Sequence, residues 1–270
     1  DAGTNHPRAH LNAVLARFEH LWELPTRAAL ILQAVGYSLY RDFGIWSGQC
    51  HRYPTLFHAY EIIRKLHQDN AAARDALLAR LGEFLEEYTP QSGAWLKGWS
   101  ASDLARFSMV FQLRARSHRL KHFLVESLLH PVFQHAVERG ALNHDLQLFV
   151  FIDDGQRLAV GGHAGISGLD DSFALTRSAG IGLGFIIQTL HGVSPYALAN
   201  INIRLLGRMA DPDAWMSMGR QLGLSPERLQ YAQAQLGPGR FVGVVNTGEW
   251  NEPFLFEAPH LKFDLNVTEA

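Results

Sequence analysis

Residues 146–158 read LQLFVFIDDGQRL and residues 180–190 read GIGLGFIIQTL, and these two stretches decide the fold. In each, an apolar run of strand length is followed by polar side chains, Asp153 and Asp154 in the first and Gln188 in the second. Buried strands that alternate with helices predict a parallel sheet covered on both faces. Such a sheet carries its chemistry at the carboxyl ends of its strands, where these three side chains are expected to meet.

Two adjacent carboxylates at one strand end and an amide at another suit a site that handles Mg²⁺ and an attacking water. P-loop nucleotide triphosphatases use acids and amides in this way. An interpretation without any catalytic role stays open for each residue. Asp153, Asp154 and the following glycine also make a common turn sequence, and Gln188 is equally compatible with a polar strand end that faces solvent.

The chain divides into a helical part and a mixed part. Residues 1–104 carry apolar side chains at helical spacing and no strand pattern, which predicts an all-α subdomain. Thr26 is expected to cap its second helix, and Pro54 to open its third. Residues 105–270 predict an α/β core. Its expected elements are strands at 108–113, 146–152, 183–188, 203–207, 240–245 and 253–257, and helices at 117–139, 170–179, 212–222 and 225–236.

Five segments, taken in chain order, resemble one known family. FVFIDD (149–154) resembles a Walker B strand, and TRSAGIGLGFIIQT (176–189) resembles a segment that begins with Ser-Arg and ends with Thr-Gln. PTLFHAYEII (54–63), SMVFQL (108–113) and LSPERLQYAQAQLGPGRFVGVV (224–245) match further motifs. Together they resemble the HerA/FtsK superfamily of ring-forming DNA-translocating ATPases, which includes VirB4 and TraG relatives. The likeness covers most of residues 9–260.

The resemblance implies a RecA-like (P-loop NTPase) parallel sheet core, incomplete in this chain, with the helical subdomain before it. It implies ATP and Mg²⁺ as cofactors. Asp153 would hold Mg²⁺ through water, Asp154 would orient or deprotonate the attacking water, and Gln188 would sense the γ-phosphate. The family usually has Glu where this chain has Asp154. The shorter side chain places its carboxylate farther from the γ-phosphate, which would slow hydrolysis or mark a degenerate site.

The resemblance also implies a homohexameric ring that acts on DNA. Arg177, Arg204 and Arg208 are candidates for an arginine that reaches the phosphate of the neighbouring subunit. A surface or salt-bridged arginine is the alternative for each of them. The glycine-rich loop 161–168 is either a pore-lining segment that touches the DNA backbone or a simple connection. A partner nuclease, or an effector in conjugation or defence, would complete such a system.

One part of the family pattern is missing. A Walker A loop needs Gly-Lys-Ser/Thr, because its amides cradle the phosphates and its lysine neutralises them. None of the four lysines, at 65, 97, 121 and 262, follows a glycine. The chain is therefore expected to be a fragment of the motor domain without Walker A. An incomplete sheet should expose an apolar edge or face and self-associate. The alternative function is a degenerate, non-hydrolysing relative that serves as a structural or protein-interaction module.

The composition and the missing motifs argue against several other classes of protein. The 270 residues are 47% hydrophobic and 19% charged with a net charge of −2, as in an ordinary soluble globule without basic bias. A single cysteine, Cys50, excludes an internal disulfide and fits a reducing cytoplasm. No apolar run approaches the roughly 20 residues that a membrane helix needs. The sequence contains no HExxH zinc motif and no GxSxG nucleophile elbow.

Overall fold

A computed structural model describes residues 7–50, 52–66, 71–87, 101–113, 117–138, 145–155, 179–189, 193, 198–246 and 252–259. Contacts within the chain divide it into two compact units. The first comprises residues 1–151 and 166–184, and the second comprises residues 152–165 and 185–270. The domain boundary proposed from the sequence at 104/105 stays a prediction.

The described helices of the first unit lie close to their predicted positions. They are α1 (Pro7–Leu21), α2 (Thr26–Asp42), α3 (Leu56–Arg64), α4 (Ala71–Glu87), α5 (Ala101–Arg106) and α6 (His118–Glu138). Helix α6 continues through Pro131, so the loss of one backbone hydrogen bond at this proline does not divide it. Among the residues that the structure describes, no helix is long and apolar enough to cross a lipid bilayer.

Two predicted helix starts are wrong by one or two residues. Thr26 is the first residue of α2, and Pro25 takes the cap position without a side-chain hydrogen bond. Pro54 precedes α3, whose cap is Thr55, and the N–H of Thr55 donates to His58 Nδ1 at 3.1 Å. The cap residue is the one whose position lets the free N–H groups of the first helical turn find an acceptor. This position depends on the path of the chain before the helix as well as on residue type.

Four aromatic rings hold α1, α4 and α6 together. Phe18 stacks on Trp22 with ring centroids 4.5 Å apart. Phe84 presents its edge to Trp22 at 5.4 Å, and Phe123 does the same to Phe84 at 5.4 Å. Stacked and edge-to-face pairs align the positive ring edges with the negative faces, which adds about 0.5–1.5 kcal/mol per pair to the burial of the rings.

A buried ionic group also joins α1 to α6. Glu126 is only 6% exposed and lies 3.7 Å from Arg17 Nε and 3.1 Å from His122 Nε2. His130, one turn further along α6, has a buried Nε2 without a hydrogen-bond partner among the described residues. Burial, followed by the charge of Arg17, lowers the pKa of His130 to about 4, although Glu126 acts in the opposite direction. Burial likewise lowers the pKa of His10 on α1 to about 4.

Strands β1 (Leu148–Ile152) and β2 (Ile181–Phe185) form a two-stranded parallel sheet, as the sequence predicts. Near the start of β1, the N–H of Gln147 donates to the carbonyl of Gly180 at 2.7 Å. At the other end, the N–H of Ile186 donates to the carbonyl of Ile152 at 3.0 Å. Strand β2 begins two residues earlier than predicted. The carboxyl ends of the two strands therefore lie side by side.

The prediction that β1 is buried on both faces is wrong. Phe149 and Phe151 are 45% and 72% exposed, and their ring centroids are 4.5 Å apart. The two rings lie over Gly182 and Gly184 of β2, where an added Cβ would collide with them. Apolar surface is thus exposed, as expected for an incomplete sheet, while self-association stays a prediction.

The strand predicted at residues 108–113 is not formed. Val110 is 97% exposed, and Phe111 is exposed as well. An apolar run with strand propensity becomes a strand only when it is paired with a neighbouring strand, and the sequence pattern does not supply that neighbour.

The second unit combines two helices with a three-stranded sheet. Its described elements are β3 (Ile203–Leu206), α7 (Pro212–Gln221), α8 (Pro226–Gln235), β4 (Arg240–Val245) and β5 (Phe254–Glu257). The strand order is β3–β4–β5 and both pairings are antiparallel, with Ile203 opposite Val245 and Phe241 opposite Phe256. The predicted terminal pair of strands is confirmed. The sequence implies a parallel sheet, whereas β3 pairs antiparallel with β4.

Helices α7 and α8 pack closely over this sheet unit. Ser225 caps α8 as predicted, since its side chain accepts a hydrogen bond from the N–H of Arg228 at 3.4 Å. Trp215 is buried and its indole N–H donates to the carbonyl of Leu229 at 3.3 Å. Gly219 lies directly against the Leu229 side chain and leaves no space for a Cβ. The α7–α8 contact therefore depends on a glycine at this position.

Replacing Gly219 by alanine should destabilise the second unit. The added Cβ would meet Leu229, which is fully buried and cannot move aside without displacing its neighbours. We expect a loss of about 1–3 kcal/mol in urea-induced unfolding. Gly82→Ala in α4 is the matched control, because nothing lies within 4 Å of its added Cβ, and it should gain up to about 1 kcal/mol. Equal effects of the two substitutions would contradict the tight α7–α8 contact.

Acid should weaken the first unit. The folded pKa values of His10 and His130 lie near 4, below the ordinary histidine pKa of 6.5, so the unfolded chain binds more protons between these two pH values. The free energy of unfolding should be fully retained above about pH 6.5 and fall by roughly 2–4 kcal/mol as the pH approaches 4. Urea titrations across this range measure the change.

A pair of variants tests the origin of this pH dependence. His130→Leu should flatten the profile, because it removes a group that is neutral when folded and charged when unfolded in acid. His20→Gln, on the exposed side of α1, should leave the profile as in the wild type. A wild-type pH profile in the His130 variant would contradict the assignment.

Phe151→Ser should reduce self-association at little cost in stability. The side chain is 72% exposed, so we expect the free energy of unfolding to change by less than about 1 kcal/mol. Light scattering and binding of a hydrophobic dye should both decrease. Ile152→Ser is the control on the other face of β1, where the side chain is buried and the same substitution should destabilise by about 2–5 kcal/mol. Unchanged scattering by the Phe151 variant would argue against this face as the site of association.

Candidate functional site

The turn that follows β1 presents two carboxylates to solvent. Asp153 and Asp154 are both exposed, and the N–H of Asp154 donates to Asp153 Oδ1 at 2.9 Å. Asp154 has φ +54°, in the left-handed region that few non-glycine residues occupy. Aspartate tolerates this conformation better than most residues, because its short side chain forms local hydrogen bonds. The backbone thus reverses direction here and leaves both side chains at the end of the strand.

Gly155 fixes this turn against the end of β2. Its N–H donates to the carbonyl of Ile186 at 3.0 Å, and an added Cβ would collide with the ring of Phe185. Sequence reasoning treated this glycine only as part of a generic Asp-Asp-Gly turn. A glycine directly after an acid-terminated strand is the signal that points to such a close approach.

Gln188 lies three residues beyond the end of β2 and reaches the same place. Its Nε2 donates to Asp154 Oδ1 at 3.3 Å, a long hydrogen bond between two exposed side chains. The structure therefore brings together Asp154 and Gln188, which are 34 residues apart in sequence, and Asp153 is adjacent. This arrangement is the one that the parallel pairing of two strands predicts for the side chains at their carboxyl ends.

The chemistry of these groups fits a water-coordinated Mg²⁺ better than a metal held entirely by protein ligands. Mg²⁺ usually keeps several waters and takes one or two carboxylates. Among the residues that the structure describes, no cluster of three or more His, Cys, Asp or Glu side chains could hold a metal ion. Asp153 and Asp154 are exposed carboxylates, and Asp153 could hold such a hydrated ion through one of its waters.

The arginine candidates differ in how free their guanidinium groups are. Arg204 donates through Nη1 to the carbonyl of Gln221 at 2.8 Å and through Nη2 to the carbonyl of Leu198 at 2.9 Å. Reaching a neighbouring subunit would cost Arg204 both hydrogen bonds. Arg208 is exposed, which suits a group that acts on another molecule. Arg177 and the loop 161–168 lie outside the described residues.

Comparison with known proteins reveals a similarity in structure only. No family model matches the chain, and no curated protein matches its sequence. VirB4 of Thermoanaerobacter pseudethanolicus superposes with a TM-score of 0.70 at 16% sequence identity, over 94% of this chain and 69% of that chain. The chain has the P-loop ATPase fold of VirB4. The likeness to VirB4 is one of fold, and it agrees with the resemblance that the sequence motifs carry.

A second solved structure is more distant. The genome packaging NTPase B204 from Sulfolobus turreted icosahedral virus 2 gives a TM-score of 0.44 at 16% identity, over 61% of this chain and 73% of that chain. The predicted α/β class is confirmed by the VirB4 match, with a partial core in which one parallel strand pair is described.

Proposed function

We propose that the chain supplies the metal-holding and water-orienting half of an ATP-driven motor that moves or unwinds DNA. The observation that carries the proposal is the hydrogen bond of 3.3 Å between Gln188 and Asp154. An acid that orients an attacking water and an amide that responds to the γ-phosphate have to face one reaction centre. The VirB4 fold supports the same assignment.

Each residue of the site has a distinct role in this proposal. Asp153 would hold Mg²⁺ through water, and the ion would neutralise phosphate charge when bound. Asp154 accepts a hydrogen bond from the attacking water and orients it. Gln188, which is tied to Asp154, exchanges that hydrogen bond for one to water or phosphate and so passes the state of the site to the segment after β2.

The nucleotide requires a second half that this sequence does not contain. No lysine of the 270 residues follows a glycine, so the phosphate-binding loop has to come from sequence outside them. We therefore propose that the chain is a fragment of a longer motor domain. The full gene product should carry a GxxxxGK[ST] loop ahead of residue 1.

The remaining assignments follow from the same proposal. The motor works as a homohexameric ring in the cytoplasm, with DNA held by backbone contacts and with a nuclease, or a conjugation or defence effector, as partner. Arg208 is the preferred trans-acting arginine, ahead of Arg204, because it is exposed and Arg204 is engaged by two carbonyls. Arg177 stays a candidate from the sequence alone.

A second function is favoured by one feature of the site. Asp154 stands where a longer Glu is usual in the resembling family, and its Oδ1 already accepts a hydrogen bond from Gln188. A carboxylate that is short and already engaged suits a non-hydrolysing relative that serves as a structural or protein-interaction module. This alternative predicts no Walker A loop in the full gene product.

Calorimetry of Mg²⁺–ATP binding separates the two functions. The proposal expects no measurable binding by this chain alone and micromolar binding by the full gene product, because the phosphate loop supplies most of the contacts. In the full protein, Asp153→Asn should weaken Mg²⁺-dependent binding about tenfold or more. Asp154→Asn and Gln188→Ala should leave binding nearly unchanged and reduce turnover by about a hundredfold or more.

Gln147→Ala is the matched control for the Gln188 variant. Gln147 lies at the opposite end of β1, where its side chain donates to the carbonyl of Asp145 at 3.1 Å. Its substitution should affect neither binding nor turnover. Failure of both the chain and the full gene product to bind Mg²⁺–ATP would overturn the motor proposal in favour of the interaction module.

A further inference from the structure

The end of α2 and the loop after it form a surface of stacked aromatic and arginine side chains. The ring of Trp46 stacks on that of Tyr37 at 5.7 Å with an angle of 26° between their planes. The guanidinium of Arg8 lies 5.7 Å from the centroid of the Tyr37 ring, and its Nε donates to the Tyr37 hydroxyl at 3.3 Å. We call Arg8, Tyr37, Trp46, Arg52 and Tyr53 the aromatic–arginine surface.

The loop that carries this surface is held in a defined shape. The indole N–H of Trp46 donates to the carbonyl of Tyr37 at 3.2 Å. Gly44 and Gly48 both have φ +71°, which only glycine adopts without strain. The N–H of Ile45 donates to the carbonyl of Tyr40 at 2.8 Å and ties the start of the loop to the end of α2. The aromatic rings are therefore positioned before any ligand arrives.

The surface keeps aromatic area in contact with solvent. Trp46 is 39% exposed and Tyr53 is 38% exposed. Tyr40 beneath them is buried and packs its ring against Trp46 at 5.2 Å. Cys50 packs against the cluster that contains Tyr40, and its thiol donates to the carbonyl of Arg52 at 3.0 Å. Arg52, with Tyr53 next to it in the chain, is thereby tied to the edge of this cluster.

The charge around the rings is positive, although the whole chain has a net charge of −2. Arg8 and Arg52 are exposed, and Arg52 lies 5.4 Å from the centroid of the Phe43 ring. The one acid in the loop and the adjoining end of α2, Asp42, is already paired with Arg41 at 3.1 Å. Both arginines stack on rings, and among the described residues neither the Nη groups of Arg8 nor the guanidinium of Arg52 has a hydrogen-bond acceptor, which leaves these donors for an anion.

We propose that the aromatic–arginine surface binds single-stranded nucleic acid. Every base has a π face that stacks on an exposed ring, and the arginines on either side meet the phosphates. The base faces of a duplex are already stacked on one another, so the surface selects a single strand. The surface belongs to the helical unit and uses neither Asp154 nor Gln188. It therefore goes beyond the proposed function, and its test contains no ATP.

Fluorescence anisotropy with labelled oligonucleotides tests the proposal on the full chain. The probes are a 20-nucleotide oligo-dT, the matching oligo-rU and a duplex of equal length. We expect both single strands to bind with comparable affinity and the duplex to bind at least about tenfold more weakly, since stacking needs free base faces. The observed affinity should fall as salt rises, because arginine–phosphate contacts release counterions.

Substitutions assign the binding to this surface. Trp46→Ala and Tyr53→Ala should each weaken oligo-dT binding by about fivefold or more, and Trp46→Phe should retain most of it. Arg52→Ala should reduce the slope of log affinity against log salt by about 1. Tyr231→Ala removes a tyrosine of α8 that is more exposed, at 64% against 38% for Tyr53, and should change nothing. Circular dichroism confirms that each variant is folded. If Trp46→Ala loosens the loop, the Tyr53→Ala and Arg52→Ala variants still test the proposal.

Three results would overturn the proposal. The first is the absence of oligo-dT binding at about 100 μM protein in low salt, where single-strand binders of this kind are saturated. The second is binding that is indifferent to both the Trp46 and the Tyr53 substitutions. The third is duplex binding as tight as that of the single strands. None of them affects the Mg²⁺–ATP result, so failure here and failure of the proposed motor are distinguishable.

Discussion

The candidate site depends on the last hydrogen bonds of one parallel strand pair. Ile186 donates to Ile152 and Gly155 donates back to Ile186, both at 3.0 Å. These two bonds set β2 against the turn after β1, close to where Gln188 donates to Asp154. A shift of one residue in this pairing would turn every side chain of a strand to the other face and separate the acid from the amide.

The meeting of Asp154 and Gln188 could be predicted from the sequence because the signals for it are local. Apolar runs of strand length, each followed by polar residues, identified β1 and β2 within three residues, and the rule for parallel strands then placed Asp154 beside Gln188. The sequence did not predict the role of Gly155, because this role depends on the ring of Phe185, which packs against the glycine in the structure. The sequence left Arg204 as either a trans-acting candidate or a surface or salt-bridged arginine, because its two carbonyl partners, 6 and 17 residues away, follow from no local pattern.

Two predictions that required knowledge of a partner strand failed. The run at 108–113 has the composition of a strand but forms none in the structure, and β3 pairs antiparallel with β4. Strand propensity describes how well a side chain suits a pleated surface, and it contains no information about which strand supplies the hydrogen bonds. The helices of the first unit were easier to predict, because the spacing of apolar residues along a helix marks the face that the helix buries. Apolar spacing does not record the buried ion pair between α1 and α6. Burying Glu126 beside Arg17 costs desolvation free energy, and the pair fixes how α1 lies on α6.

The aromatic rings on β1 place a condition on how this sequence can evolve. Phe149 and Phe151 occupy the space that side chains at 182 and 184 would otherwise fill. An alanine at either glycine needs a smaller residue opposite it on β1, and a smaller residue on β1 leaves a groove that a larger one at 182 or 184 could fill. The four positions are thus coupled through shared volume. Among descendants of this chain they should vary in compensating pairs, so that covariation between the two strands records their register even where the acids and the amide have been lost.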